Sequence, residues 1–283
     1  MKLATVRTTD GTRAARVEGD RLLLLPPADI GAVLAAGGSA TISSTAAALE
    51  PLDELSLMQA SFAPVVMRPE KIFCVGSNYK AHIAEMSHEV PKYPTLFAKF
   101  ASSLLGANDE LVLPKVSSAV DWEVELGVVI GQHVWRATPA EALEAIAGFT
   151  VVNDVSMRDW QNRTSQFLQG KTFDASTPVG PFLVTRDEIG DGGDLELRCE
   201  VDGVTMQCGR TSDLLFGPGE IVSYISQFAT LRPGDIISTG TPAGVGAGRD
   251  PQVFLAPGQV LTSAIEGIGS CVNQCLAEVD SAS

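Results

Sequence analysis

From Lys71 onward, the chain is organised as short runs rich in β-branched residues, separated by Gly, Pro and Asp. The clearest runs are KIFCVG, LGVVIG, FTVVNDV and DIISTG. Each run has the length and the bounding turn residues of a buried strand. Helical patterns are fewer and shorter, and we predict them over residues 78–86, 139–146 and 218–228. The pattern therefore predicts an α+β fold in which sheet dominates.

Residues 1–66 predict a small N-terminal β-rich domain, which precedes a catalytic domain of residues 67–283. The small domain begins as a meander of three strands with tight turns at Asp10 and Gly19, residue types that tolerate such turns. An Ala/Gly/Ser-rich stretch over residues 31–49 follows and is predicted as a helix with a loose connection. We find no chemistry-bearing cluster in this part of the sequence and place the function in the second domain.

Charge and composition exclude two classes of partner. The 283 residues include 34 acidic and 20 basic side chains, and the net charge of −14 repels a phosphate backbone. The longest apolar runs are far shorter than the roughly 18 residues that a membrane-spanning helix requires. The five cysteines form no CxxC pair, and the N-terminus lacks the apolar segment of a signal peptide. We therefore expect a cytoplasmic protein that binds neither nucleic acid nor membrane.

Two carboxylates are expected side by side in the segment VDWEVELGVVIG. Glu123 and Glu125 are two positions apart, and a strand points such residues to the same face. Their mutual repulsion requires a divalent cation, a shared proton or basic side chains, unless they merely form the polar face of an edge strand. Asp154 lies near the end of the next apolar run and adds a third carboxylate. Such an oxygen-rich set suits Mg²⁺, Mn²⁺ or Ca²⁺.

An acid–base pair is predicted on the short helix that follows the run KIFCVG. His82 and Glu85 are three residues apart, which places both side chains on one helix face. A carboxylate beside an imidazole fixes its tautomer and raises its basicity, as a general base near neutral pH requires. The alternative is an ordinary exposed pair on a helix.

Two further segments carry candidate anion-binding groups. Lys171 lies in GKTFDASTPVGP, where it can bind a substrate carboxylate, stabilise an enolate, or simply be a solvated surface lysine. Gly240 and Thr241 follow an apolar run, where backbone N–H groups and a hydroxyl can hold a small anion. This turn has neither the GxGxxG spacing nor the lysine of a P-loop.

Six segments in the same order resemble the fumarylacetoacetate hydrolase family over about residues 70–270. They are CVGSNYKAHIAEM, PTLFAKF, DWEVELGVVIG, NDVSMRDWQ, GKTFDASTPVGP and TGTPAGVG. The resemblance implies a mixed β-roll fold for the catalytic domain and a homodimer. It also implies a Mg²⁺-like ion, with Mn²⁺ or Ca²⁺ as alternatives, bound by Glu123, Glu125 and Asp154.

The resemblance also assigns roles around the ion. It implies a catalytic pair on a mobile segment that closes over a small 2-oxo acid substrate. The implied residues are the catalytic group His82, Glu85 and Lys171 and the substrate-binding group Arg158, Gln161, Gly240 and Thr241.

The implied reaction is metal-dependent hydrolysis of a C–C bond in an acylpyruvate such as fumarylpyruvate, which gives pyruvate and a carboxylic acid in aromatic or small-acid catabolism. The segments EMSHEVPKYPTLFAKF and QGKTFDASTPVGP resemble acylpyruvase-type bacterial members and favour this reaction. Alternatives within the family are oxaloacetate decarboxylase, 2-hydroxydienedioate isomerase or decarboxylase, deoxy-sugar-acid dehydratase and natural-product tailoring enzyme. A non-catalytic metal-binding scaffold is a different class, and the presence of both His82 and Glu85 argues against it.

Overall fold

The computed structural model describes residues 1–38, 41–86 and 89–279. Parts of the predicted stretch 31–49 and of the predicted domain 67–283 therefore lie outside the described residues. Within the described ranges, sheet dominates over helix, which confirms the predicted fold class.

Short strands and short helices follow one another along the described ranges. The strands are β1 Lys2–Thr8, β2 Gly11–Glu18, β3 Arg21–Leu24, β4 Asp53–Ser56, β5 Ser61–Phe62, β6 Ile72–Gly76, β7 Thr95–Lys99, β8 Leu104–Leu105, β9 Leu111–Leu113, β10 Val120–Asp121, β11 Val124–Ile130, β12 Ile146–Asn153, β13 Ser156–Met157, β14 Thr177–Thr185, β15 Glu196–Val201, β16 Val204–Arg210, β17 Ile236–Ser238, β18 Val260–Ile265 and β19 Gly269–Ala277. The α-helices are α1 Ile30–Gly37, α2 Ile42–Ala47, α3 Lys80–Glu85, α4 Pro139–Glu144, α5 Arg158–Gln161, α6 Leu168–Lys171, α7 Arg186–Ile189 and α8 Pro218–Ser226.

One mixed sheet of twelve strands forms the centre of the molecule. Its order is β4-β3-β2-β1-β14-β12-β11-β17-β6-β7, with β5 beside β1 and β8 beside β14. Strand β17 pairs antiparallel with β11 and parallel with β6. A five-stranded sheet in the order β16-β15-β18-β19-β9 and the two-stranded pair β10–β13 complete the strand arrangement of the described residues.

Two apolar cores lie on opposite faces of the central strands. The larger core joins Leu126 of β11 and Phe149 of β12 to Leu261 of the five-stranded sheet. The smaller core joins Val129 of β11 to Val33 of α1. Strands β11 and β12 are buried along their whole lengths because both faces are covered. Packing therefore fixes the positions of the side chains at the ends of these two strands.

The predicted N-terminal strands are observed as β1, β2 and β3. Strand β1 pairs with β14, with Leu3 opposite Leu183, so the meander extends the large sheet. The domain boundary at residue 66 stays a prediction. The three predicted helices are observed as α3, α4 and α8 with somewhat narrower bounds. None of the helices in the described ranges has the length and apolar character needed to cross a lipid bilayer.

Candidate active site

Three carboxylates meet at one end of the central strand pair. Glu123 immediately precedes β11, Glu125 is the second residue of β11, and Asp154 immediately follows β12. The antiparallel register continues past the strand ends, because the Asp154 N–H donates to the Glu123 carbonyl oxygen at 2.8 Å. One carboxylate oxygen from each residue lies within 4.8 Å of the others, and all three residues are buried. The predicted carboxylate cluster is therefore present.

Three cationic side chains surround this acidic triad. Lys171 Nζ bridges Glu123 Oε2 at 2.7 Å and Asp154 Oδ2 at 2.8 Å. Lys99 Nζ donates to the other Asp154 oxygen, Oδ1. Arg158 Nη2 lies 2.7 Å from Glu123 Oε1. Glu123 and Asp154 are thus each paired with buried cations.

Glu125 is in a different electrostatic position. Its Oε2 accepts hydrogen bonds from two neutral donors, the Ser238 hydroxyl and the Gly240 N–H, the latter at 2.7 Å. Burial, and then the charges of Asp154 and Glu123, raise the pKa of Glu125 to about 8. Two of the three carboxylates are paired with cations, and Glu125 is paired with neutral donors. Such a set of carboxylates suits a hard divalent cation, which prefers oxygen ligands. The triad can therefore hold a divalent metal ion.

The opposite effect operates on Glu123. Burial alone would raise its pKa, but the adjacent charges of Lys171 and Arg158 outweigh burial and lower it. Glu123 therefore stays ionised at neutral pH, and one member of the triad is ready to bind a cation without losing a proton.

An imidazole–carboxylate pair lies on α3. His82 Nδ1 is 2.9 Å from Glu85 Oε2, and the two side chains are 12% and 19% exposed. The second Glu85 oxygen, Oε1, accepts a hydrogen bond from the Gly244 N–H at 2.9 Å. Glu85 is therefore held between the imidazole ring and the loop at Gly244. This arrangement leaves Nε2 as the ring nitrogen of His82 that can exchange a proton with a ligand.

One cavity of about 230 Å³ is lined by His82 of the pair and by Glu123 and Glu125 of the triad. Its polar lining includes His82, Glu123, Glu125, Arg158, Gln161 and Lys171. Apolar side chains, among them Met86, Phe97 and Phe167, form part of its wall. A ligand in this cavity would contact the predicted base and the predicted ion ligands together.

A model of the family described as fumarylacetoacetate (FAA) hydrolase C-terminal matches residues 71–276, most of the chain. The chain belongs to the fumarylacetoacetate hydrolase family. The resemblance expected from the six sequence segments is thereby confirmed. The protein is accordingly an enzyme of a family that includes hydrolases, isomerases and tautomerases.

Relatives in this family carry several different activities in their names. The human mitochondrial oxaloacetate tautomerase FAHD2A is 46% identical over 240 residues, which cover 84% of this chain and 76% of the relative. The structure of fumarylacetoacetate hydrolase from Exiguobacterium antarcticum has a TM-score of 0.85 at 32% identity, covering 98% of this chain and 100% of that one. The structure of 5-carboxymethyl-2-hydroxymuconate delta-isomerase from Mycobacterium smegmatis has a TM-score of 0.81 at 31% identity, covering 98% and 100%.

The remaining predicted site residues of this family member have contacts within the protein. Arg158 Nη1 donates to Gln161 Oε1 at 2.9 Å, so these two residues line the cavity as a pair. The Gly240 N–H, predicted to face a substrate, donates to Glu125. The Thr241 hydroxyl donates to the Val124 carbonyl oxygen at 3.0 Å, and Thr241 lines the cavity. The substrate-binding roles of these residues stay predictions.

Two charged residues at the site received no role from the sequence. Lys99 ends β7 and is buried against Asp154. The sequence feature that could have identified Lys99 is that it is the one charged residue in the segment PTLFAKF. A lysine is seldom buried without a partner. Asp121 lies in the segment VDWEVELGVVIG and is also fully buried. Two of its hydrogen-bond donors, the N–H groups of Gly246 and Ala247, come from a distant loop, and no local pattern identifies them.

Proposed function

We propose that this protein catalyses metal-dependent keto–enol chemistry on a small 2-oxo dicarboxylic acid, and that interconversion of the enol and keto forms of oxaloacetate is its reaction. The observation that carries the proposal is the placement of His82 and two members of the acidic triad, Glu123 and Glu125, on the walls of one cavity. The name of the human relative, an oxaloacetate tautomerase 46% identical to this chain, supports the choice of substrate.

Glu123, Glu125 and Asp154 would hold the ion. A bound divalent ion would supply Lewis-acid polarisation of the 2-oxo group and a fixed point for the adjacent carboxylate. Lys99, Lys171 and Arg158 form ion pairs with two of the triad carboxylates, Glu123 and Asp154, and hold them in place. Oxygen-only ligands favour Mg²⁺, which we propose as the physiological ion, with Mn²⁺ or Ca²⁺ as substitutes.

His82 would carry the proton between the two substrate forms. Glu85 holds Nδ1, so a neutral ring presents a basic Nε2 to the cavity. In the keto-to-enol direction, Nε2 removes one proton from the carbon next to the 2-oxo group, and the 2-oxo oxygen gains one. The reverse direction returns the proton to carbon, so the substrate keeps its formula. Glu85 stabilises the imidazolium that forms in between.

The charge balance of the site favours an anionic ligand. With Glu125 neutral at pH 7, the charges of Asp121, Glu123 and Asp154 are balanced by those of Lys99, Arg158 and Lys171. A divalent ion that displaces the Glu125 proton would leave one excess positive charge. A dicarboxylic acid is attracted to such a site, which is enclosed by apolar walls that strengthen the interaction.

Hydrolysis of an acylpyruvate, the reaction expected from the sequence, is the second candidate. It is supported by the same pair, since His82 oriented by Glu85 can remove a proton from water as well as from carbon. The structural similarity to a fumarylacetoacetate hydrolase, with a TM-score of 0.85, also favours it. Both reactions require the triad, and they differ in whether a C–C bond is broken.

A substrate panel separates the two candidates. The purified protein with Mg²⁺ is given the enol form of oxaloacetate and, separately, fumarylpyruvate, with and without a chelator. Loss of enol absorbance above the buffer rate, with no release of pyruvate, supports the tautomerase. Chelator-sensitive release of pyruvate from fumarylpyruvate supports the hydrolase instead. Pyruvate and carbon dioxide from oxaloacetate would contradict both and favour a decarboxylase.

We further propose a homodimer that acts in the cytoplasm on a free small acid. Sedimentation of the purified protein at several concentrations tests the assembly, and a monomer at all concentrations would contradict it.

A further inference from the structure

Asp121 accepts four hydrogen bonds although it is fully buried. Its Oδ1 accepts from the Trp122 N–H at 2.8 Å and from the Gly246 N–H at 2.7 Å. Its Oδ2 accepts from the Ala247 N–H at 3.0 Å and from Arg158 Nε at 2.8 Å. Asp121 therefore joins the loop at Gly244–Gly248 to the arginine beside the triad.

The loop on one side of Asp121 also holds the predicted base. Gly244 donates its N–H to Glu85 Oε1, and a Cβ on Gly248 would lie only 2.9 Å from Glu85 Cδ. A Cβ on Gly246 would lie 2.7 Å from Asp121 Oδ1. Small residues are needed here because the loop packs directly against both carboxylates. Its position is further fixed by the Trp122 indole N–H, which donates to the Gly244 carbonyl oxygen at 3.1 Å.

The arginine on the other side of Asp121 contacts the ion ligands. Arg158 uses Nε for Asp121, Nη2 for Glu123 and Nη1 for Gln161. A continuous set of contacts therefore runs from Glu85 through the loop and Asp121 to Arg158 and then to Glu123.

We propose that Asp121 is a positioning residue that fixes the distance between the His82–Glu85 pair and the acidic triad. It touches neither substrate nor ion. Replacing Asp121 with Asn places an NH₂ group opposite N–H donors, so only one of the two side-chain atoms can still accept hydrogen bonds. The loop then shifts away from α3, and Glu85 loses the contact that orients His82. The kinetic test of this inference rests on the proposed function, and the hydrogen-exchange test does not.

The kinetic test is a double-mutant cycle between Asp121→Asn and Glu85→Gln at saturating ion. Asp121→Asn alone should lower kcat roughly 10- to 100-fold with a smaller change in KM, as for loss of a group that orients a catalytic histidine. In the Glu85→Gln background, Asp121→Asn should lower kcat by no more than about twofold, because Asp121 acts on His82 through Glu85. Multiplicative losses would overturn the proposal.

A matched control separates positioning from stability. Asp235 is also fully buried and accepts two backbone N–H groups, from Lys71 and Arg232, together with the Lys71 ammonium. It lies at the start of β17 and does not line the cavity. Asp235→Asn should lower the melting temperature and leave kcat unchanged. An equal loss of kcat in both variants would overturn the proposal.

Hydrogen exchange tests the same contacts without any substrate. In Asp121→Asn, amide protection should fall together in residues 244–248 and in α3, and should be unaffected in both places in Asp235→Asn. If Asp121→Asn does not fold, Trp122→Phe removes the bond to Gly244 and should give the same paired loss of smaller size. Unchanged protection of α3 would overturn the inference even if the proposed reaction stands, and paired loss would support it even if that reaction fails.

Discussion

The two sides of the cavity are built in different ways. The acidic side is carried by β11 and β12, which lie at the centre of the large sheet and are covered by both apolar cores. The other side, which carries His82 and Glu85, is α3, a helix of six residues. Its start is fixed by Asn78, whose Nδ2 donates to the Thr239 and Phe216 carbonyl oxygens. Near its end, Glu85 accepts a hydrogen bond from the Gly244 N–H.

This difference separates ion binding from proton transfer. Packing of two strands and three cations places the ion ligands, so their geometry does not depend on one contact. Only a few hydrogen bonds place the base, so small changes there should alter turnover and leave ion affinity unchanged.

Glu125→Gln and Asp154→Asn should differ strongly in stability while both abolish tight ion binding. Each should weaken Mn²⁺ binding by at least about 100-fold, because loss of a group that only orients a ligand already costs 10- to 100-fold. Asp154→Asn also removes the carboxylate that pairs with the buried Lys99, while Lys171 keeps its pair with Glu123, and this loss should cost about 3–5 kcal/mol of unfolding free energy.

Glu125→Gln should cost less than about 1 kcal/mol in the ion-free protein, since a pKa of about 8 keeps this carboxyl neutral at pH 7. Calorimetry of ion binding and denaturant unfolding measure the two quantities. Equal destabilisation by both substitutions would contradict the different electrostatic positions of the two residues.

Glu85→Gln should lower kcat roughly 10- to 100-fold while Mn²⁺ affinity changes by less than about threefold. The amide keeps the shape of the side chain but no longer stabilises a positive charge on His82. Steady-state kinetics at saturating ion and an independent binding titration measure the two effects. A parallel loss of ion affinity would show that the two sides of the cavity are not separate.

Ion binding should depend on pH through Glu125. Its raised pKa means that the ion-free folded protein keeps this proton up to about pH 8. Ion binding should therefore release close to one proton at pH 7 and almost none above pH 9, and affinity should rise with pH below 8 and then level off. Calorimetry in buffers of different ionisation enthalpy counts the protons.

The same shift has a consequence for stability. An unfolded chain loses the Glu125 proton near its ordinary pKa of 4.5, well below the folded value of about 8. The contribution of Glu125 to the free energy of unfolding is therefore fully present below pH 4.5 and is lost as the pH rises through 8. The ion-free Glu125→Gln protein should lack this component of the pH dependence. Identical pH profiles in the two proteins would refute the raised pKa.

Gly248→Ala should give the smallest effect. The added Cβ would lie 2.9 Å from Glu85 Cδ, so the carboxylate must move by a few tenths of an ångström. We expect a roughly threefold to tenfold loss of kcat, less than the 100-fold that a 1 Å misplacement can cost, with unchanged ion affinity. Gly217→Ala is the matched control, because its nearest contact would be an ordinary 3.7 Å from Glu220. Equal kinetics for the two variants would argue against a tight loop.

Local pattern identified the candidate residues of the triad and the pair, and the family resemblance supplied their predicted roles. The alternation of a strand places Glu123 and Glu125 together. The spacing of His82 and Glu85 on a helix is likewise a local property. Asp154 ends the next apolar run, but its place beside the two glutamates also requires the antiparallel pairing of β11 with β12.

The contacts that orient these groups were not predictable in the same way. Asp121 binds N–H groups of Gly246 and Ala247, which are more than a hundred positions away in the chain. The Gly240 turn has the form of an anion site, and only the sheet order β11-β17 shows that its N–H faces Glu125. The pairing of β1 with β14 is equally invisible in the N-terminal pattern. Such long-range pairings depend on the whole topology.

In the proposed mechanism, His82 moves a proton on a substrate held at an ion bound by the acidic triad. The most direct measurement is the rate of oxaloacetate enol loss against Mg²⁺ concentration in wild type, His82→Ala and the exposed-residue control His133→Ala. We predict saturable, Mg²⁺-dependent rates for wild type and His133→Ala. For His82→Ala we predict unchanged ion binding with a rate lower by about 10²- to 10⁴-fold. Wild-type rates in His82→Ala at the same ion occupancy would contradict the account.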